Sequence, residues 1–524
     1  MSPSTIPELL NEQARRYGSA TAIAGPGSRL TYAELHTAAR QVTRAAMTAG
    51  VRRGDRIAIW APNSAHWIIA ALGLLGAGAT LVPIGTRLRG AEAAQVLRRA
   101  RCRGLFTVRG FLGIDYPALL RGHDIPDLRF TVLLPVIAGD ERSHARTDRP
   151  DDALVTWADF LTEAESVSLT DAESRTAAIA SGDICDILFT SGTTGAPKGV
   201  LSTHSNTLTV LDRWASAVTL RHDDRYLLIN PFSHTFGYKA GLLACLLRAA
   251  TMVPVEIFDA PAAAELTATE SITVLAGPPT IFTDLLRVGR SFPALRLAGT
   301  GGAAIPPVLV DRIRDELGAD EVFTAYGLTE SIGVISVCAP GAPAESTART
   351  VGRTLPGSEI RIIGPDGGVA PAGTPGEIVV RGPNVMSGYL DDADATARAI
   401  DPDGWLRTGD VGALDNEGYL RVTDRLKNMF IVGGFNVYPA EVEQALLEYP
   451  GIADAAVIGV PDDRLGEVGA AFVVTGDAGG FDIDALLTWC RDRLAGYKVP
   501  RAVRVVDRLP RNATGKIRKH DLHW

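Results

Sequence analysis

From residue 55 onward, short apolar runs of strand length alternate with longer amphipathic ones. Residues 56–60 form an apolar strand, and an uncharged stretch from 67 to 85 follows. That stretch reads as a buried helix, a glycine-containing turn and a strand at 80–83. Residues 92–101 are helical and 105–108 strand-like. Further apolar runs at 226–229, 252–255, 273–275, 295–298 and 322–324 are separated by helical segments at 238–247, 278–286 and 306–317. Regular alternation of this kind predicts an α/β fold of layered sheets covered by helices.

The texture changes after Leu355. Glycine-punctuated strands at 359–363, 377–381 and 419–422 predict a small β-rich unit. A second change falls near residue 425. Beyond it the pattern gives a helix (440–448), two strands (455–460, 470–474), a helix (482–494) and a strand (503–506). The predicted organisation is a large N-terminal domain over 1–424 and a small α+β domain over 428–524. Neither internal repeats nor long low-complexity tracts are visible.

Composition narrows the function. The 524 residues are 46% hydrophobic and 21% charged, ample for a large core and too many for one compact domain. A net charge of -8 builds no basic surface for nucleic acid. The five cysteines are scattered and form no CxxC pair, so reduced thiols in a cytoplasmic protein are expected. Charged residues near the start leave no secretory apolar segment. The uncharged stretch 67–85 approaches the ~18–20 residues that span a bilayer. Its glycines at 73, 76, 78 and 85 and the Pro83 ending favour a soluble core, with no transmembrane segment.

The densest chemistry lies at Thr190, Ser191, Gly192, Thr193, Thr194, Gly195, Ala196, Pro197 and Lys198, directly after the apolar run 184–189. Hydroxyls and glycines packed this closely supply many donors and a backbone able to curl around an anion. Lys198 adds a cation on a flexible stem. The string is not a Walker A loop, because Pro197 occupies the position of its second glycine.

This string resembles the nucleotide loop of the adenylate-forming superfamily, which includes acyl-CoA synthetases, luciferase and peptide-synthetase adenylation domains. Further matching segments follow in order, from residue 30 to Lys516. In the segment Tyr326, Gly327, Leu328, Thr329, Glu330, the resemblance implies that the tyrosine stacks on adenine. Thr329 then meets the α-phosphate, and Glu330 holds Mg²⁺. Gly301, Gly302 and Ala303 would line the adenine and acyl pockets. Asp410, in Thr408-Gly-Asp, would accept the ribose hydroxyls with Arg425 beside it. Lys427 would be the hinge within 425–427 that makes the C-terminal domain mobile. Gly433 and Gly434 would flank the CoA tunnel, and Lys516 would be the adenylation lysine. ATP, Mg²⁺ and CoA are the implied cofactors and co-substrates.

The segment 230–241 stands at the acyl-pocket position of that family. Its His234 is expected to gate the carboxylate, and Phe236, Gly237, Tyr238, Pro278, Ile332 and Gly333 to line the pocket. Lys239 is expected on a helix surface. Amino-acid-activating relatives place an aspartate here, and 230–247 has none. The expected partner is therefore a small-molecule carboxylic acid other than an amino acid. The segments 231–241, 325–330 and 433–443 look closest to actinobacterial ligases acting on ring-containing propanoates in steroid breakdown. Residues 111–156 depart from that pattern. The implied activity is acid:CoA ligation through an acyl-adenylate. The alternative is transfer to an acyl carrier protein or an amine; the absence of a long insertion near 337–353 favours CoA.

Overall fold

The computed structural model describes residues 3–136, 154–190, 197–301, 307–425, 428–432, 435–462, 465–476, 481–494, 496–512 and 515–524. Among them, the alternating pattern becomes two large sheets. The first runs in the order Gly388–Tyr389, Lys198–Thr203, Ile184–Thr190, Thr80–Pro83, Arg56–Trp60, Gly104–Thr107, Phe130–Leu133 and Leu154–Thr156. Its strands are parallel from Ile184–Thr190 outward, and Lys198–Thr203 returns antiparallel beside it. Parallel strands covered on both faces need continuous apolar runs, which is what the sequence offers.

The second sheet runs Arg353–Thr354, Ser336–Cys338, Glu321–Tyr326, Leu297–Gly301, Val274–Gly277, Arg225–Leu228, Thr251–Pro254, Thr21–Gly25 and Ser28–Thr31. One strand sits later than the apolar run at 295–298 predicts. The strand is Leu297–Gly301, and it takes in a glycine because a Cβ on Gly299 would lie 2.1 Å from the Phe323 ring. A glycine inside a strand here marks a close approach, not a turn.

The uncharged stretch resolves as predicted into a helix, a turn and a strand. Helix Ala65–Gly76 is capped by Ser64, whose hydroxyl accepts from the Trp67 amide, and it is buried on nearly every side. Its glycines face helix Tyr32–Thr48. A Cβ at Gly73 would fall 2.4 Å from the Val42 Cβ and 2.5 Å from the Ala39 carbonyl oxygen. The Thr43 hydroxyl donates to the Gly73 carbonyl at 2.8 Å across the same crossing. No helix among the described residues is long and apolar enough to cross a membrane. All five cysteines are buried and unpaired.

A four-stranded antiparallel sheet (Glu359–Ile363, Gly376–Arg381, Leu406–Leu414, Leu420–Arg425) forms the β-rich unit. After it, a separate sheet of Phe435–Val437, Phe430–Val432, Gly466–Thr475, Ile452–Asp462 and Ala502–Val505 carries its own core with helices Pro439–Leu447 and Ile483–Arg493. The chain thus leaves one sheet at Arg425 and begins the other at Phe430.

Candidate active site

The nucleotide-loop residues rise from a hairpin. Thr190 and Lys198 face each other at its open end, as the last pair of the ladder between Ile184–Thr190 and Lys198–Thr203. Ser191, Gly192, Thr193, Thr194 and Gly195 lie outside the described residues. Gly199 is required by packing: a Cβ there would stand 2.8 Å from Ile187 and 3.2 Å from Leu390. That close fit lets the short strand Gly388–Tyr389 pair against Val200 and Leu201.

The pairing brings in a residue that sequence reading missed. The Tyr389 hydroxyl donates to Glu330 Oε1 at 2.9 Å, and the Lys198 ammonium lies 4.8 Å from the Tyr389 ring centroid. Burial, with the Glu330 carboxylate adding to it, pushes the phenol well above its ordinary pKa, so it stays a donor. A two-residue strand gives almost no periodic signal. The one available cue was an aromatic residue directly after Gly388.

Glu330 sits in a tight turn. Gly333 donates to the Leu328 carbonyl at 2.9 Å, and Ile335 to the Tyr326 carbonyl at 2.7 Å. Gly327 has no room for a side chain, since a Cβ would meet the Gly333 carbonyl oxygen at 2.2 Å. Ile332 is held at φ 57°, a left-handed value that a β-branched residue rarely adopts. Strain of this sort persists where surrounding packing over-determines it, commonly beside functional groups.

Tyr326 ends a parallel strand of the second sheet, beside Gly301 in register with Ala325. Its hydroxyl donates to Asp410 Oδ2 at 2.7 Å. Asp410 is buried in strand Leu406–Leu414 and stands directly opposite Arg425 in the ladder. Tyr326 and Asp410, far apart in sequence, are therefore joined at one place. Ligands of parallel sheets bind at such carboxyl ends of strands. Gly302, Ala303, Lys427, Gly433 and Gly434 lie outside the described residues.

The acyl segment folds back on itself through Asn63, which donates to the Leu228 and Asn230 carbonyls (3.1 and 2.8 Å) and accepts from the Phe232 amide at 2.8 Å. His234 caps the helical path that begins at Thr235, its Nδ1 accepting from the Phe236 amide at 3.3 Å. The ring is open to solvent yet hemmed in by surrounding protein, and the resulting desolvation lowers its pKa. Because Nδ1 accepts, the proton of the neutral ring falls on Nε2. Gly333 touches this segment, because a Cβ there would lie 3.1 Å from that of Thr235. Two residues assigned to the pocket, Tyr238 and Ile332, have no exposed surface, and Tyr238 packs on Trp67 with ring centroids 5.7 Å apart. Phe236, Pro278 and Gly333 are partly exposed, whereas Gly237 is buried. Lys239, expected on a surface, is also fully buried.

Lys516 is exposed, on a turn closed by Gly515 donating to the Asn512 carbonyl at 3.0 Å and by Lys516 N–H donating to Asn512 Oδ1 at 2.9 Å. Gly515 adopts φ +82°, and a Cβ there would point to the Thr280 hydroxyl at 3.6 Å. The lysine turn thus comes close to Thr280, two residues after Pro278.

No group of three or more His, Cys, Asp or Glu side chains among the described residues forms a metal cage. Glu330, with the Thr329 hydroxyl next to it, is an oxygen donor set that suits a Mg²⁺ ion shared with substrate phosphates.

Residues 10–390 match the AMP-binding enzyme family, and residues 441–516 match the AMP-binding enzyme C-terminal domain. The solved anthranilate CoA ligase AuaEII, in complex with anthranoyl-AMP, superposes with a TM-score of 0.85 at 26% identity, over 98% of this chain and 96% of that one. This is the fold of an adenylate-forming enzyme, a large unit followed by a small one. A 3-[(3aS,4S,7aS)-7a-methyl-1,5-dioxo-octahydro-1H-inden-4-yl]propanoyl:CoA ligase of Rhodococcus jostii (strain RHA1) is 46% identical, over 99% of this chain and 98% of its own length. Its counterpart in Mycobacterium tuberculosis (strain ATCC 25618 / H37Rv) is 47% identical over the same shares. The chain belongs to the AMP-binding enzyme family.

Proposed function

We propose that the protein is a cytoplasmic ATP-dependent carboxylic acid:CoA ligase acting on a ring-bearing propanoate. The observation that carries this reading is the nearness of the Lys516 turn to Thr280, where a Cβ added at Gly515 would come within 3.6 Å of the hydroxyl. The Tyr326–Asp410 and Glu330–Tyr389–Lys198 groups are gathered on the nucleotide side. Full-length similarity to two ligases named for a propanoate on a fused ring supports the substrate class.

In the first half-reaction a carboxylate oxygen attacks the α-phosphorus of ATP, and the bond to the bridging oxygen breaks to release pyrophosphate. The obstacle is repulsion between anions, so positioning and charge neutralisation carry the catalysis. Lys516 stands to bridge carboxylate and α-phosphate, and Lys198 to neutralise the outer phosphates. Mg²⁺, when bound at Glu330, supplies further positive charge. Asp410 and Arg425 hold the ribose, and Tyr326 stacks on adenine. His234, neutral and donating through Nε2, orients the acid. In the second half-reaction the CoA thiolate attacks the acyl carbon and AMP leaves. The hinge at 425–427 is the pivot that withdraws the lysine, and Gly433 and Gly434 flank the path of CoA.

The test is pyrophosphate exchange into ATP across a panel of carboxylates, followed by mass spectrometry of products formed with CoA or with carrier protein. Fused-ring propanoates should stimulate exchange most and give CoA thioesters. Exchange with no acid in the panel, or product on carrier protein alone, overturns the reading.

Tyr389→Phe removes one hydrogen bond to a carboxylate, worth about 1.5–3 kcal/mol when charge-assisted. The expected result is a roughly ten- to hundredfold lower kcat/KM for Mg-ATP. Wild-type kinetics would remove Tyr389 from the site.

A further inference from the structure

Lys239 lies in the helical path Thr235–Arg248, five residues after His234, where the backbone widens into a π-helical turn over Tyr238–Leu243. Such turns are rare and recur at functional sites. Its side chain is 1% exposed, and its ammonium reaches two partners: Asp186 Oδ1 at 3.1 Å, and Ser202 Oγ, to which it donates at 2.6 Å. Asp186 and Ser202 are themselves a directly opposed pair in the nucleotide-loop hairpin, four residues below the Thr190–Lys198 pair from which the loop springs. The second oxygen of Asp186 accepts from the Cys185 thiol at 3.2 Å.

A lysine from the acid-binding segment is thus bolted to both strands that carry the nucleotide loop. Burying this pair costs desolvation that an apolar trio of the same shape would avoid. The arrangement therefore calls for a role beyond holding the core together. Residues 190 and 186 share one face of their strand, as do 198 and 202, so a shift of the ammonium is felt at the mouth of the loop.

We propose that Lys239 is a positioning residue that couples the acid-binding segment to the nucleotide loop, so that acid and ATP are aligned together for adenylation. The proposal rests on the ligase reading given above. It concerns only the first half-reaction, because the outer phosphates are absent once the acyl-adenylate has formed.

Two variants test it. Ser202→Ala removes the contact to one strand and leaves the ion pair intact. Asp186→Leu combined with Lys239→Met removes both charges and keeps an apolar core. Each is assayed for pyrophosphate exchange, for thioester formation from synthetic acyl-adenylate and for Tm. The expected result is a roughly ten- to hundredfold fall in exchange, the range that sub-ångström misplacement produces. KM for both ATP and acid rises with it, and thioester formation is largely kept. Wild-type exchange in Ser202→Ala, or equal losses in both half-reactions in either variant, overturns the proposal. Wild-type protein is run alongside with the same acids: absence of exchange there fails the ligase reading and leaves the coupling unaddressed by that arm. Ser202→Ala is then read by ATP binding, where an unchanged Kd overturns the coupling.

Discussion

Lys516→Ala is expected to lower pyrophosphate exchange by about 10²–10³, the usual cost of losing one preorganised electrostatic donor. The same variant should keep most of its rate of thioester formation from synthetic acyl-adenylate and CoA. The asymmetry follows from the chemistry. A cation between two approaching anions lowers only the barrier in which both are present, and the thiolate step contains neither pyrophosphate nor a free carboxylate. The side chain is exposed and its turn is closed through backbone groups and Asn512, so Tm should not move. Parallel loss of both half-reactions would show that the lysine acts on something common to them, such as AMP binding, and the assignment would be withdrawn.

The largest effect on stability is expected from Gly73→Ala. The added methyl would need space now filled by Val42 and the Ala39 carbonyl, at 2.4 and 2.5 Å. Backbone cannot yield as a flexible side chain can, so helices Tyr32–Thr48 and Ala65–Gly76 must separate and strain the Thr43 hydrogen bond. Overpacking of this kind typically costs about 1–3 kcal/mol and occasionally more. Gly182→Ala is the control, since nothing lies within 4 Å of its added Cβ. Thermal unfolding should show a drop of several degrees for the first and none for the second. Equal Tm values for both would mean that the crossing has slack the distances do not reveal.

Much of this was legible in the chain itself. Apolar runs bounded by glycine and proline announced the strands Arg56–Trp60 and Thr80–Pro83, because parallel strands covered on both faces must be apolar along their length. The glycines of residues 67–85 separated a core helix from a membrane span, and the crossing at Gly73 gives the reason. Long motifs drew attention to Tyr326 and Asp410, which share a hydrogen bond, and to Lys198 and Glu330, which meet at Tyr389. What was hidden is tertiary in origin. Lys239 reads as a surface residue in any window, and only the hairpin beneath it provides its carboxylate. A lone lysine among the apolar residues of 236–247 was the available clue. Tyr238 and Ile332 were assigned to a pocket because they flank residues that line it, yet neighbours along a helix or turn point in different directions. Tyr389 owes its place to an edge strand of two residues. The hairpin Thr21–Thr31 and helix Tyr32–Thr48 also escaped the pattern, as the second sheet recruits them from a distant part of the chain.

The nearness of Gly515 to Thr280 has a bearing on selectivity. Under the proposed reading the boundary facing the acid is shared between two bodies, one contributing Pro278 and Thr280 and the other Gly515, which leaves the hydroxyl uncovered. A bulky ring is accordingly gauged while the two bodies are together and released from that constraint when they part. Analogues with enlarged rings should therefore be screened out chiefly before AMP is attached, and preformed adenylates of the same analogues should be accepted more freely.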